Sequence, residues 1–230
     1  MATGTTATET TAGETTAGGA FDLSAGELCL DFANTLNGRA SGELNDRLPE
    51  YGDLVAWAQA AGAVGESEAA ALLQRARRRP EAAAAVHRRA LDLREALFRL
   101  FASAAAGEES EPADLDLLNR ELSNALCRRH LVAAPDREGF LWAWCSAEEL
   151  DAVLAPVVLS AADLAASGDL DRVRECAAGT CRWLFLDRSR NRSRRWCDMS
   201  ACGNRAKARR HYRRRGARRS ARPTDPGSIA

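Results

Sequence analysis

CAAGTCRWLFLDRSRNRSRRWCDMSAC, residues 176–202, decides the fold of the C-terminal part of this chain. Four residues separate Cys176 from Cys181 and Cys197 from Cys202, and fifteen residues lie between the two pairs. Zinc takes four tetrahedral ligands, and a structural site draws all four from the protein. Two short pairs joined by a small loop suit that geometry, and bound metal supplies folding energy that a module of this size lacks. The spacing therefore predicts one structural Zn²⁺ bound by the four cysteines.

Other interpretations of the cysteines stay open from spacing alone. The four could form disulfides or lie unrelated in a core, but clustered cysteines in a reducing compartment favour metal. A catalytic zinc would need an open coordination position, which four cysteine ligands do not leave. The remaining cysteines, Cys29, Cys127 and Cys145, lie singly among apolar residues, so we expect them to be buried free thiols.

The segment between the two cysteine pairs alternates as a strand does. In Arg182–Asp187, Trp183 and Phe185 fall on one face, and Trp196 directly precedes the second pair. Aromatic side chains here could stack on nucleic-acid bases. In a small metal module they more often form the core, and that is the interpretation we favour.

A strongly basic helix is predicted after the last cysteine. Residues 203–215, GNRAKARRHYRRR, are rich in Ala and Arg, which favour helix, and Gly216 is expected to end it. The helix cannot pair its charges internally, so it needs anions, and a nucleic-acid backbone supplies them at high density. The loop before it, 188–195, adds five arginines. The candidate nucleic-acid contacts are Arg190, Arg192, Arg194, Arg195, Asn204, Arg205, Lys207, Arg209, Arg210 and Arg213.

This basic stretch also has interpretations that involve no nucleic acid. It could be a solvated charged face, or it could fold onto the acidic half of the chain, and Arg194 could pair with Asp187. The formal net charge of zero hides a division: in 1–171, 14 arginines against 28 acidic residues give −14, whereas in 172–222, 18 basic residues against three acidic ones give +15. Such a division indicates a nucleic-acid or membrane contact at the basic end, or attraction between the two halves.

The region from 21 to 168 has mainly helical periodicity. In its clearest helix, which begins at Pro80 and ends at Gly107, apolar residues recur at spacings of three and four. The short element 28–36 could be helix or strand, and we favour helix. The other predicted helices cover 49–61, 66–79 and 114–127.

A β-hairpin follows these helices, because 130–134 and 140–145 read as strands around a longer loop. Ser146 and Glu149 have the capping-box spacing that opens another helix. Pro156 falls inside that helix, so a kink or break is expected near Ala155. Residues 1–20 contain no large apolar side chain besides the first methionine and are expected to be a disordered tail, as is 217–230.

The cysteine motif and several N-terminal motifs resemble those of known families. Residues 176–215, with the run Cys202-Gly203-Asn204-Arg205, resemble the CGNR zinc-finger family. LCLDFANTL at 28–36, the helix at 53–57 and LREALFRLF at 93–101 are similar to the ABATE domain that usually precedes this finger. The resemblance implies that the four cysteines of 176–202 are the zinc ligands and that such proteins are stress-related transcription regulators of bacteria whose finger binds DNA.

Together these arguments predict a mainly α N-terminal domain (21–168) with a small β-hairpin, joined to a small α+β, treble-clef-like zinc-finger module (169–216). We expect a cytoplasmic, zinc-dependent DNA-binding regulator without a membrane span. RNA or ribosome binding, and a protein-interaction module masked by the acidic domain, are the alternatives. A homodimer and an unknown small-molecule ligand of the N-terminal domain are further options. No nucleophile–base pair or phosphate-binding glycine loop is found in the sequence, so an enzyme is not expected.

Overall fold

The structure is a computed structural model in which residues 21–136, 138–145 and 149–220 are described, with the side chains of the last helix described as far as Tyr212. Over these residues the chain is mainly helical and carries three two-stranded antiparallel hairpins. This confirms the expected fold class, a mostly helical chain with small hairpins and a C-terminal cysteine cluster. The expected tail at 1–20 lies outside the described residues.

The described residues contain seven α-helices and six short strands. The helices are α1 (Leu28–Ala33), α2 (Tyr51–Ala60), α3 (Glu66–Arg78), α4 (Pro80–Ala106), α5 (Pro112–Leu126), α6 (Ala155–Ala166) and α7 (Asn204–Ser220). The strands are β1 (Leu36–Asn37), β2 (Asn45–Asp46), β3 (Arg129–Ala133), β4 (Phe140–Trp144), β5 (Val173–Glu175) and β6 (Leu184–Leu186). Each strand pairs with its neighbour along the chain.

The long helix α4 organises the helical part of the molecule. It begins at Pro80, whose fixed φ suits a first turn, and it ends before Gly107, which adopts a φ of 72°. Its apolar face, including Leu93, Leu97 and Phe101, is buried as the periodicity predicts. Helices α1, α2, α3 and α5 and strand β5 pack against α4.

The element at 28–36 is a helix over Leu28–Ala33, as favoured from the sequence, and its last residue, Leu36, begins strand β1. Helix α1 is buried along all of its length after Leu28, because it packs against α4, α6 and β6. Its surroundings explain its apolar composition. This position also places the residues that follow α1, Asn34 and Asn37, against the C-terminal part of the chain.

The hairpin and the break before α6 both occur where they were predicted. Strands β3 and β4 pair antiparallel with Leu131 opposite Trp142. A 3₁₀ turn, Leu150–Leu154, precedes α6, and Pro156 stands in the first turn of α6, where its missing N–H costs nothing. The expected capping box cannot be assigned, since Ser146 lies outside the described residues.

The hairpin of β5 and β6 shares the hydrophobic core of the helical part. Leu184, Phe185 and Leu186 are all buried, in one cluster with residues of α1, α4 and α6. The alternation of apolar and polar residues along 182–187 therefore does not predict which residues are buried. Successive residues of β6 are all buried, because α1 and α4 pack against this strand. Phe185 is a core residue, as favoured from the sequence, and Trp183 and Trp196 are half-buried. The division of the chain at residue 168 stays a prediction.

The basic helix is longer than expected. A single π-helical turn, Met199–Gly203, leads directly into α7, whose backbone continues through Gly216 to Ser220. The predicted stop at Gly216 is wrong because one interior glycine costs only about 1 kcal/mol relative to alanine. The Ala and Arg residues on either side are strong helix formers and outweigh that cost.

Candidate metal centre and basic helix

The four predicted zinc ligands converge on one point. The Sγ atoms of Cys176, Cys181, Cys197 and Cys202 all lie within 4.8 Å of one another. The Sγ–Sγ distance is 3.6 Å between Cys181 and Cys197 and 3.7 Å between Cys197 and Cys202. A tetrahedron with Zn–S bonds of about 2.3 Å has edges of about 3.8 Å, whereas a disulfide would bring two sulfurs to about 2.05 Å. The donor set therefore fits one tetrahedral, structural zinc, and the disulfide alternative is wrong.

Backbone hydrogen bonds hold the first cysteine pair in place. The N–H of Cys176 donates to the carbonyl oxygen of Trp183 at 2.8 Å, which continues the pairing of β5 with β6 beyond the strand ends. The N–H of Ala177 donates to Arg195 O, also at 2.8 Å, and so ties the first pair to the loop before the second. The N–H of Cys197 lies 3.4 Å from the sulfur of Cys176, a contact that stabilises a thiolate.

The second pair is positioned by the start of the basic helix. The carboxylate of Asp198 accepts hydrogen bonds from the Ala201 N–H and the Ser200 hydroxyl, and these bonds lower the pKa of Asp198 below its usual value. Because Asp198 caps the π-helical turn that contains Cys202, the last ligand and α7 have a fixed relation to each other. The orientation of α7 thus depends on the metal centre.

Arg205 adds a cationic contact to the metal centre. Its Nη2 donates to the Sγ of Cys202 at 3.0 Å, one turn along α7 from the ligand. Four thiolates around a divalent metal leave a net charge of −2, so a guanidinium beside them offsets part of the charge. Such contacts around a metal typically affect its affinity strongly.

We expect Arg205→Ala to weaken zinc affinity by about 10- to 100-fold, the range seen when groups that support metal ligands are removed. Competition with a chromophoric chelator at fixed pH measures this affinity. Arg209→Ala is the matched control, since Arg209 stands one turn further on α7 and is exposed. Equal zinc retention by the two variants would show that the Arg205 contact contributes nothing to the site.

Besides Arg205, two loop arginines expected to contact nucleic acid, Arg192 and Arg194, have hydrogen-bond or ion-pair partners within the chain. The guanidinium of Arg194 donates to the carbonyl oxygens of Trp196, Cys197 and Ser24, and it lies 4.5 Å from the centre of the Phe185 ring. This side chain fastens the loop before Cys197 onto the core. Arg192 forms an exposed ion pair with Asp171.

The alternative pairing of Arg194 with Asp187 occurs through the backbone and not through the guanidinium. Asp187 is fully buried, and its two carboxylate oxygens accept the N–H groups of Ser189 and Arg194, each at 2.9 Å. Burial alone would raise the pKa of Asp187, but these hydrogen bonds lower it below its usual value. The carboxylate therefore shapes the loop by fixing its backbone.

The other candidate contacts form an exposed basic surface. Arg190 and Arg195 lie exposed on the loop, and the helix residues Asn204, Arg205, Lys207, Arg209 and Arg210 are exposed along α7. For Lys207, Arg209 and Arg210, no ion pair is found with any residue whose side chain is described. The backbone of Arg213 lies on α7, beyond the side chains that are described. We call Arg190, Arg195, Lys207, Arg209 and Arg210 the basic surface.

The remaining cysteines are free, as predicted, but only one is buried. Cys29 lies in α1, and burial raises its pKa to about 12. Cys127 and Cys145 are exposed, so the expectation that they are buried is wrong. Both stand beside the β3–β4 hairpin, whose large apolar residues, such as Phe140 and Trp142, are themselves exposed. An apolar neighbourhood in sequence does not imply burial where the hairpin projects from the core.

The helical region packs against a four-cysteine metal centre, and one structural zinc there holds the start of a basic helix. These features identify the chain as a zinc-finger protein. The chain belongs to the ABATE family, described as a putative stress-induced transcription regulator, whose family model matches residues 26–168. The CGNR zinc finger model matches residues 172–215. No curated protein is similar enough to count as a relative.

These families are of regulator and zinc-finger type and are not described as enzymes. In the part of the chain that the structure describes, no helix has the length and apolar character needed to cross a membrane. The convergence of the four cysteines and the zinc-finger family match establish the zinc-binding centre. The partner of the basic surface is a separate question.

Proposed function

We propose that the chain is a zinc-dependent DNA-binding transcription regulator of the stress response, acting in the cytoplasm and not as an enzyme. The observation that carries this proposal is the basic surface held by the metal centre. Helix α7 starts two residues after the ligand Cys202, and its described cationic side chains, from Arg205 to Arg210, are exposed. A rigid cationic helix of this kind suits the phosphate backbone and the major groove of duplex DNA.

The contacts that two loop arginines make within the chain reduce the number of proposed phosphate contacts. Arg192 and Arg194 already have partners in the chain, so the phosphate contacts are assigned to the five residues of the basic surface, with Asn204 as the polar side chain nearest the start of α7. Arg213 remains a proposed contact. A homodimer, which would present two α7 helices to two half-sites, remains part of the proposal.

The family description supports the regulatory part of this function. A helical domain that is joined by a shared core to a zinc-held cationic helix can change the presentation of that helix if its own state changes. The acidic character of residues 1–171 also disfavours nonspecific contact of that region with DNA. DNA contact is thereby confined to the C-terminal part of the chain.

The proposal predicts a steep loss of DNA affinity with salt. Five phosphate contacts give an expected loss of about 500-fold between 50 and 200 mM monovalent salt, since the logarithm of affinity falls by about 0.9 per contact for each tenfold rise in salt. Fluorescence anisotropy with a labelled duplex measures it. Replacing Lys207, Arg209 and Arg210 together by Ala should reduce the slope by about 2.7.

The matched control replaces three exposed arginines of the helical region, Arg77, Arg78 and Arg88, by Ala. It removes the same charge from a different face and should leave the slope unchanged. A slope near zero for the unmodified chain, or equal slopes for both triple variants, would contradict the proposal. Competition with structured RNA separates DNA from RNA binding, and tighter binding of RNA would favour the alternative function.

A further inference from the structure

A cysteine and a histidine meet on one face of the β3–β4 hairpin. The Sγ of Cys145 lies 3.1 Å from the Nδ1 of His130, and both side chains are exposed to solvent. The pair is separate from the metal centre, whose ligands are four other cysteines. A base within hydrogen-bond reach of a thiol can take its proton and leave a thiolate, which is the nucleophilic form of cysteine.

The register of the hairpin holds this pair together. His130 stands opposite Ala143, and the Cys145 N–H donates to the carbonyl oxygen of Arg128 at 2.7 Å, which continues the pairing one residue beyond the strands. His130 and Cys145 are therefore diagonal neighbours on one face, because side chains two residues apart along a strand share a face. Ala143 is too small to come between the ring and the thiol.

Cys127 is exposed as well, but its surroundings differ. Its Sγ donates to the carbonyl oxygen of Asn124 at 3.3 Å. A carbonyl oxygen can only accept, so this hydrogen bond favours the protonated thiol and not the thiolate. Cys127 thus has comparable access to solvent without a neighbouring base, which makes it a natural internal control for Cys145.

The other cysteines are shielded from reagents in solution. Cys29 is buried in α1, and burial raises its pKa to about 12, so it remains a protonated thiol. Cys176, Cys197 and Cys202 are also buried, and they converge with Cys181 on the metal centre. All seven cysteines of the chain lie in the part that the structure describes. Among them, Cys145 alone is exposed, outside the metal centre and beside a base.

We propose that Cys145 is a site of oxidation to a sulfenic acid by hydroperoxides, with His130 as its base. The imidazole takes the thiol proton, and the thiolate attacks the terminal oxygen of the hydroperoxide. An S–O bond forms as the O–O bond breaks, so the sulfur is oxidised and the peroxide is reduced. The departing alkoxide or hydroxide takes the proton from His130 and leaves as alcohol or water. This reaction goes beyond the proposed DNA binding and does not rest on it.

Alkylation by iodoacetamide compares the two exposed thiols in one sample. The full, zinc-loaded chain is treated at pH 7, and trypsin cleavage after Arg128 places Cys127 and Cys145 on separate peptides for mass spectrometry. Cys145 should react about 10-fold faster than Cys127. This factor is smaller than the roughly 10²–10⁴-fold that a positioned base contributes in an enzyme, because solvent surrounds the pair.

His130→Gln tests the role of the imidazole. Glutamine keeps a polar side chain at this exposed position but cannot take the thiol proton, so the alkylation rate of Cys145 should fall about 10-fold, to that of Cys127. His211→Gln, at an exposed position of α7, is the matched control and should leave the rate unchanged. Equal rates for Cys145 and Cys127 in the unmodified chain, or an unchanged Cys145 rate in His130→Gln, would overturn the proposal.

Dimedone, which traps sulfenic acids, tests the oxidation itself. The Cys127→Ser variant is used, so that the neighbouring exposed thiol cannot consume the product before dimedone does. Hydrogen peroxide should give a dimedone adduct on the Cys145 peptide, and the added substitution His130→Gln should slow its formation about 10-fold. If peroxide left Cys145 without an adduct, the site would not be one of oxidation and the proposal would be overturned. Neither assay contains DNA, so failure of the proposed DNA binding would leave both results unchanged.

Discussion

Removing the zinc should disorder the C-terminal part of the chain from Cys176 into α7. Cys181→Ser takes away one thiolate of four, and the metal joins the two ends of this segment through these thiolates. In zinc-finger peptides the apparent free energy of structural zinc binding is about 10–16 kcal/mol, which exceeds the stability that a short hairpin can have by itself. The expected result is loss of the single bound zinc and fast hydrogen exchange over 176–204.

Native mass spectrometry and peptide-resolved hydrogen exchange measure the two parts of this result. Cys127→Ser is the matched control, because Cys127 is an exposed free thiol outside the metal centre. It should retain one zinc and wild-type protection. Unchanged exchange over 176–204 in Cys181→Ser would show that packing, and not metal, holds the finger.

The finger and the helical region share one hydrophobic core, so loss of zinc should also affect the helical region. Leu184, Phe185 and Leu186 are buried against α1 and α4, so disorder in the finger also uncovers part of the helical core. The helical region should therefore lose stability while it keeps its helices. A chelator titration followed by circular dichroism would show a small loss of helical signal and a lower midpoint of thermal unfolding.

Local patterns in the sequence predicted much of this structure. The cysteine spacing identifies the metal ligands because four thiolates in two short pairs have few other uses in a reducing compartment. Helix α4 could be predicted because twenty-seven residues of consistent period leave little ambiguity between helix and strand. The break before α6 follows from Pro156 alone.

Long-range contacts could not be predicted in the same way. The burial of both faces of β6 depends on α1, which lies about 150 residues earlier, and no periodicity within 182–187 reports it. The internal role of Arg194 was missed because an arginine in a basic loop looks like its neighbours until its carbonyl partners are known. The contact of Arg205 with Cys202 has a weak local signal, since the two stand three residues apart where a helix begins.

The side chain of Asn34 is the clearest case of a contact that only the structure reveals. Its Nδ2 donates to the carbonyl oxygen of Leu184 at 2.8 Å, and its Oδ1 accepts the N–H of Leu184 at 2.9 Å. The amide therefore continues the pairing of β6 as a further strand would. Asn34 is 3% exposed and Leu184 is fully buried, so water cannot replace either bond.

We expect Asn34→Ala to lower the free energy of unfolding by about 2–6 kcal/mol, because it leaves two buried backbone groups unpaired and each costs about 1–3 kcal/mol. Asn34→Asp should be at least as destabilising, since a carboxylate would face the Leu184 carbonyl oxygen and cannot donate to it. Urea unfolding at a fixed free zinc concentration measures both, because bound metal shifts the apparent stability. Asn124→Ala, at an exposed position of α5, is the control and should change stability by less than about 0.5 kcal/mol. If Asn34→Ala matched that control, the helical region would not hold the finger through this amide, and the two parts should then unfold in separate transitions.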